Sequence, residues 1–288
     1  MTTLLHVLSF FIGLLPDVCV RGLARVISFF VFTVFRYRRK IMRENIATAF
    51  PDKTEAERQQ IEGDACLHLA MSLLEFLKIP TLTRRSYEGA FRVEGLEHYE
   101  AARAKGKGLL VLTGHLGSFE LSAGAMAQRM EEEVLVIVKS FPEALDRFVS
   151  SVRTGTDLTV VPAKGAIRPV FKAMKKEATV VFVQDQNSTR HIGVFVDFFG
   201  KEACTMSGLA VVALRTEAPV VGVSIWREAQ GHVLAFHPEI PLEPQADKQD
   251  SIVHMTQVYT RFIEERIREN PSQWLWTHRR WKTQRTEH

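Results

Sequence analysis

The sequence predicts an α/β fold: a mostly parallel central sheet flanked by helices, entered through an apolar helical lead at the N-terminus. Three observations carry that prediction. Six short runs between residues 108 and 236 are nearly continuous in apolar and β-branched character, as strands covered on both faces are. Helical patterns alternate with them, the order that produces parallel strands with helices packed on both faces of a sheet. The first 43 residues stand apart in charge, with seven Lys and Arg against the single acid Asp17, a net +6 that leaves −2 for the other 245.

The lead contains two apolar stretches, Leu4–Leu15 and Val26–Phe35, and seven of the 19 Phe fall within the first 50 residues. As helices of twelve and ten residues, the stretches reach roughly 18 and 15 Å against a bilayer hydrocarbon core of about 30 Å. Pro16-Asp17 interrupts the first, and Arg21 and Arg25 separate it from the second, so shallow interfacial or re-entrant helices are expected in preference to a clean span. Two buried helices of an ordinary core would leave the following cluster, Arg36-Tyr37-Arg38-Arg39-Lys40, without a reason. That cluster would hold the rest of the chain on the cytoplasmic side. The lead, residues 1–43, is therefore expected to be membrane-associating on an anionic surface, and residues 44–288 to form the α/β domain.

Beyond Pro51-Asp52, residues Thr54–Phe76 read as a helix with Ile61, Ala65, Leu69, Leu73 and Phe76 on one face. Strands are expected at Gly108–Thr113, Val134–Val138, Leu158–Val161, Thr179–Val183, Pro219–Ile225 and His232–Phe236. Helices are expected between them at Ser118–Met130, Pro142–Val152, Ala166–Lys176 and Ser207–Glu217. A last helix, Ser251–Asn270, stops before Pro271 and runs into a tail rich in Trp, Arg and Lys.

Composition limits the classes of function. A chain of 288 residues that is 46% hydrophobic and 24% charged can bury a large core, and a mean hydropathy of −0.03 excludes a polytopic membrane protein. Three widely spaced cysteines, Cys19, Cys66 and Cys204, support neither a disulfide framework nor a zinc site and suit a reducing compartment. The absence of Lys or Arg before Arg21 argues against a secretory signal peptide. The basic, Phe-rich lead suits lipid rather than nucleic acid. There is no GxSxG, P-loop or GxGxxG, so serine hydrolase and nucleotide-binding readings lack their motifs.

The segment that can carry chemistry follows the first of these strands: Gly114-His115-Leu116-Gly117-Ser118-Phe119-Glu120. Ligands of α/β sheets collect where a strand's carboxyl end meets the next helix. There, His115 lies between glycines that permit a sharp turn, and Glu120 falls in the first turns of the helix, where it can converge on the imidazole. A carboxylate that accepts from Nδ1 leaves Nε2 free as a general base, and no serine is needed if the nucleophile is a substrate hydroxyl. A helix-capping histidine with a surface glutamate would have the same spacing.

The run His115 to Glu120 resembles the histidine-x4-acid motif of the lysophospholipid acyltransferase superfamily, in the histidine-x4-glutamate form of the bacterial lipid A late acyltransferases. Further segments match in order: Arg153 within Phe148–Gly155, Asp185-Gln186 after a strand, Phe198-Phe199-Gly200, Ala203–Gly208, and Trp274–Lys282 at the end. Arg36–Phe50, with Asn45 and Pro51, is similar to the lead of these enzymes, so the resemblance covers nearly the whole chain.

The resemblance implies transfer of a fatty acyl group from an acyl carrier protein thioester to a hydroxyl of a lipid A precursor at the cytoplasmic face of the inner membrane. No cofactor or metal, no nucleic acid and a monomeric state are expected. His115 would act as the base and Glu120 would orient it. Backbone N–H groups near Gly117 and Ser118 would meet the oxyanion, and Arg153 would anchor a lipid phosphate. Asp185, with Gln186 beside it, would bind the acceptor sugar or pair with Arg153. Trp274, Trp276 and Trp281 with Arg279, Arg280 and Lys282 suggest an interfacial belt, or a tail packed on the sheet. Lys139, Arg147 and Lys164 could form a basic rim for the carrier, whereas His232, His237 and His254 show no ligand spacing. Open alternatives are another acceptor (lysophospholipid, ornithine lipid or glycolipid), a non-catalytic lipid-binding protein, and a metallohydrolase using His115 and Glu120.

Overall fold

The computed structural model describes residues 2–83, 86, 89–129, 133–138, 143–154, 156 and 158–285. Helix α1 (Thr2–Gly13) ends before Pro16, and α2 (Asp17–Ser28) continues into a π-helical segment, Phe29–Val34. The second helix thus starts nine residues before the predicted apolar stretch. Arg21 and Arg25 do not interrupt it, because they lie on its exposed side while Val20 and Ala24 are buried. Arg36 and Arg38, both left-handed with φ of 52° and 50°, turn the chain into α3 (Arg39–Ala49), bent 92° from the Asp17–Val34 segment. No single described helix is long and apolar enough to cross a membrane; only that bent pair meets the length and composition test together.

Helix α4 (Glu55–Lys78) opens with a capping box between Thr54 and Glu57 and underlies the lead. Four of the five predicted positions face the core, with Ile61 and Ala65 buried and Leu69 and Phe76 packed against it, whereas Leu73 is 52% exposed. The helix is covered on several sides, so its buried set takes in two acids, Glu62 and Glu75, each held by arginine. Glu62 pairs with Arg39 and, at 2.9 Å, with Arg43, which ties α3 to α4. Outside this anchorage α1, the turn after it, α2 and the π segment leave Leu4, Phe10, Phe11, Leu14, Val18, Phe29 and Phe30 at least half exposed.

The remaining elements are β1 (Phe91–Glu94), α5 (Leu96–Arg103), β2 (Leu109–Thr113), α6 (Phe119–Arg129), β3 (Val134–Val138), α7 (Glu143–Thr154), β4 (Leu158–Pro162), α8 (Ile167–Met174), β5 (Thr179–Val183), β6 (Gly193–Phe198), β7 (Lys201–Met206), α9 (Gly208–Thr216), β8 (Val220–Arg227), β9 (His232–Ile240) and α10 (Lys248–Glu269). All six predicted strands form, within a seven-stranded sheet of order β1-β9-β8-β2-β5-β3-β4. Every neighbouring pair is parallel except β8 with β9. The predicted helix ends at Met130 and Pro142 lie outside the described residues.

Alternate residues of the central strands feed two core layers, as the period-2 pleat requires. Leu109 and Val111 pack with α1, α2, α4, α6 and α7 on one face. Leu110 and Leu112 pack with α3, α8, α9 and α10 on the other.

The tail also belongs to that second layer. Trp274, Trp276 and Trp281 are buried, and Arg280 is fully buried, its guanidinium bonded to Cys204 O at 3.0 Å and to Thr205 Oγ1 at 2.5 Å and stacked over Phe198. The interfacial belt of tryptophans is therefore corrected to the packed-back tail. Arg280, which composition placed among lipid phosphates, finds its partners inside the protein, as a buried guanidinium must.

Candidate active site

Strand β2 runs parallel to β5 with Thr113 opposite Val183, so the residues just beyond the two strand ends come together. Those residues are Gly114-His115 and Gln184-Asp185-Gln186. Gly114 keeps the approach open, because an added Cβ would lie 3.3 Å from the Asp185 side chain. Gly117, at φ +52°, could carry a Cβ only 2.8 Å from Ile225 O, so the turn that presents His115 requires glycine there.

His115 Nδ1 lies 2.7 Å from Asp185 Oδ1. The other Asp185 oxygen accepts from the His115 backbone N–H at 3.0 Å and from the Trp274 indole N–H at 2.7 Å. Asp185 is 2% exposed, and these three donors account for its burial as a carboxylate. Burial works to raise its pKa, but the His115 charge and these hydrogen bonds hold it well below the usual carboxylate range. For His115, burial disfavours the charged ring, yet the charge and hydrogen bond of Asp185, with the charge of Glu120, raise its pKa above the ordinary value. Gln186 Nε2 sits 3.1 Å from His115 Nε2. With Nδ1 donating to Asp185, Nε2 is the lone-pair nitrogen, and the Gln186 amide donates to it.

The carboxylate on His115 Nδ1 is thus Asp185, not Glu120. Glu120 instead forms a two-point ion pair with Arg153, with Nε to Oε2 at 3.0 Å and NH2 to Oε1 at 2.5 Å. The reason is geometric: Glu120 lies beyond the start of α6, facing α7, whereas Asp185 leaves the neighbouring strand beside the imidazole. Arg153 is accordingly engaged by Glu120 rather than paired with Asp185. His115, Glu120, Arg153 and Gln186 nevertheless share one cavity.

That cavity measures about 650 Å³, within the range of small-molecule sites. Ala123, Met126, Val136, Leu158, Val181 and Ile225 form an apolar wall, and Phe119 meets the imidazole edge-on at 4.7 Å between ring centres. Among the described residues no group of three or more His, Cys, Asp or Glu side chains converges as a metal site would require.

The turn after His115 is braced from two sides. Gly117 N–H donates to Gln273 O at 2.8 Å, and Leu275 N–H to His115 O at 3.2 Å. The Gly117 amide is therefore spent on the tail and is not the free oxyanion donor expected from sequence. From α4, Ser72 Oγ donates to Gly117 O at 2.8 Å, and the Ser118 hydroxyl bonds to Glu75. Glu75 in turn accepts from Arg227 at 3.0 and 2.5 Å, and Arg227 also contacts His68 Nδ1 at 2.6 Å and exchanges two hydrogen bonds with Gln273. Burial and the Arg227 charge push the His68 pKa down to about 4. Sequence reasoning missed Glu75, Arg227, Gln273 and the bond from the Trp274 indole to Asp185; an acid on the core-facing side of α4 is the local signal that could have found Glu75.

Of the other histidines, His232 lies 3.5 Å from Glu75, His237 Nε2 contacts Ser224 Oγ at 2.7 Å, and His254 pairs with Glu243. Lys139 lies outside the described residues.

The sequence model of the bacterial lipid A biosynthesis acyltransferase family matches residues 1–283. The chain is 26% identical over 249 residues to the lipid A biosynthesis palmitoleoyltransferase of Escherichia coli K12, covering 85% of this chain and 79% of that protein. It is likewise 26% identical over 250 residues to the lauroyltransferase of the same organism, with 85% and 79% covered. The phosphatidylinositol mannoside acyltransferase of Mycobacterium tuberculosis H37Rv is 24% identical over 212 residues, covering 72% and 66%. With the match running through the lead, the His115 turn and the folded-back tail, the chain belongs to the bacterial lipid A biosynthesis acyltransferase family.

Proposed function

We propose that this protein transfers a fatty acyl chain from an acyl carrier protein thioester to a hydroxyl of a lipid A precursor, at the cytoplasmic face of the inner membrane. The observation that carries this reading is an imidazole tethered through Nδ1 to a buried carboxylate in the wall of a mostly apolar cavity. The acyl chain lies along Ala123, Met126, Val136 and Leu158. The acceptor oxygen attacks the thioester carbonyl as its proton passes to His115 Nε2. The tetrahedral oxyanion collapses, the C–S bond breaks, and the thiolate takes the proton back from the imidazolium, leaving an ester and a free thiol. No acyl-enzyme forms.

Asp185 holds the productive tautomer and stabilises the imidazolium. Glu120 adds negative charge near the ring while fixing Arg153, whose remaining N–H faces an acceptor phosphate. Once Nε2 carries a proton it can no longer accept from Gln186, so that amide becomes the donor nearest the oxyanion, with the Ser118 N–H at the turn as a second. Residues 1–43 seat the site on the membrane: their exposed Leu, Val and Phe enter the interface while Arg21, Arg25, Arg36 and Lys40 meet anionic headgroups.

The likeness to mycobacterial phosphatidylinositol mannoside acyltransferases favours a second reading, the same chemistry on a glycolipid acceptor. Both readings are tested by incubating purified protein in detergent with acyl carrier protein thioester and each acceptor in turn. An added acyl mass on the lipid A precursor alone supports the first, on the glycolipid alone the second, and on neither overturns both.

A further inference from the structure

A second basic surface lies far from the lead in sequence. Residues 163–176 carry Lys164, Arg168, Lys172, Lys175 and Lys176 with no acid among them. All five side chains are exposed, and none has an ion-pair partner among the described residues. They decorate α8, its entry turn and the turn after it, and the inner side of the helix, Val170, Ala173 and Met174, is buried in the core layer of Leu110 and Leu112. Helices α1 and α2 bury Ile12, Val20 and Ala24 in the opposite layer, so this surface is not a continuation of the apolar face they expose. It also lacks the Phe-rich character of that face. Its large exposed apolar side chain is Ile167, 44% exposed, and Ile192, 58% exposed, lines the cavity.

The patch borders the cavity. Ala163, Thr189 and Ile192 line the cavity and are exposed, and Ala163 directly precedes Lys164 of the basic stretch. The lining includes the polar side chains Gln184, Asn187, Ser188 and Thr189 beside the apolar wall. The Gln184 amide, at both ends, and the Ser188 hydroxyl are buried without a hydrogen-bond partner among the described residues, a cost that a ligand's polar groups would remove.

We infer that the outer face of α8 docks an acidic carrier protein, and that its acyl-bearing phosphopantetheine arm enters between Ala163 and Ile192. The patch and the lining together offer a partner to each part of such a donor. Anionic carrier surface meets Lys164, Arg168 and Lys172; the amides of the arm pass Gln184 and Ser188; the thioester reaches His115; the hydrocarbon continues into the apolar end. This inference rests on reading His115 as the base of an acyl transfer from a thioester. Complementary charge at an exposed rim acts mainly through encounter, so the patch sets how well the carrier is captured and not the chemical step.

The test is the triple variant Lys164→Glu, Arg168→Glu, Lys172→Glu, whose sites are exposed and leave the core untouched. Two donors with the same acyl chain are compared: the acyl carrier protein thioester and the free acyl-pantetheine thioester. The KM for the carrier donor should rise at least tenfold with kcat within about twofold, and the wild-type salt dependence should flatten. Turnover of acyl-pantetheine should not change. An unchanged carrier KM overturns the docking assignment, as does an equal loss with both donors or a loss confined to binding of anionic vesicles. In a His115→Ala background, anisotropy of labelled acyl carrier protein reads docking without turnover: binding that survives this change but falls tenfold with the charge reversals supports the patch. If His115→Ala leaves transfer intact, the base assignment fails; if it abolishes transfer while the reversals do nothing, only the docking surface fails.

Discussion

Replacing Asp185 by Asn tests the orientation of His115 more sharply than deleting it would. In the wild type three donors converge on two carboxylate oxygens: His115 Nδ1–H on Oδ1, and the His115 backbone N–H and Trp274 indole N–H on Oδ2. Asn has one oxygen and one NH2, so it can satisfy only one side. With its oxygen toward the backbone and indole donors, its NH2 faces Nδ1, which must then accept; the ring proton moves to Nε2 and the base is lost. The opposite orientation keeps the productive tautomer but leaves two buried donors against an NH2, at about 1–3 kcal/mol each. The inactive arrangement is thus preferred by about 2–6 kcal/mol, which at 1.4 kcal/mol per decade is roughly a 30- to 10⁴-fold loss of kcat. Single-turnover transfer from acyl carrier protein thioester measures the loss, and 15N shifts of the His115 ring report the tautomer. An Asp185→Asn enzyme within threefold of wild type, or a slow one that retains the Nδ1–H tautomer, would refute the reasoning.

Further outcomes follow from the same geometry. Because the raised His115 pKa belongs to a base that works only when neutral, kcat/KM should climb with pH through an acid limb above 6.5, the ordinary histidine value. The same shift makes protonated His115 stabilising in the folded state: its contribution is full below the unfolded-state pKa and fades as pH rises through the folded one. A pH–rate profile with the limb below 6.5 contradicts both statements. Gly117→Ala forces a Cβ to 2.8 Å from Ile225 O at φ +52°, so it should cost about 1–3 kcal/mol, seen as a lower Tm, and should reduce transfer with it. Ala123→Phe fills the apolar wall of the cavity, and competition between donors should show a shift toward shorter acyl chains at unchanged transfer of the shortest.

The parallel sheet was legible because its central strands are apolar on both faces, which leaves a run such as Leu109–Thr113 with no other environment to suit it. Strand β1, Phe-Arg-Val-Glu, and the hairpin of β6 and β7 were not legible, since β1 and β7 mix polar with apolar residues and the apolar run of β6 is only Val194–Val196. His115 and the other cavity residues could be named from sequence, but not their pairing. The contact between His115 and Asp185 spans 70 residues and depends on the register of β2 with β5, which no local pattern encodes. Glu120 is closer in sequence and therefore looked like the partner. The tail misled for a related reason: Trp and Arg together suit a lipid interface and a buried cation–aromatic cluster equally, and only the positions of Phe198, Cys204 and Thr205 separate the two. Glu75 and Arg227 sit 152 residues apart, so no local pattern pairs them.

The most direct test of the central claim is mass spectrometry of a lipid A precursor after incubation with acyl carrier protein thioester and either wild-type protein or His115→Ala. The account predicts one added ester-linked acyl chain with the wild type and a loss of about 10²-fold or more in its rate of appearance with the variant, the scale of a missing general base. An acylated product formed at the same rate by both proteins would contradict it.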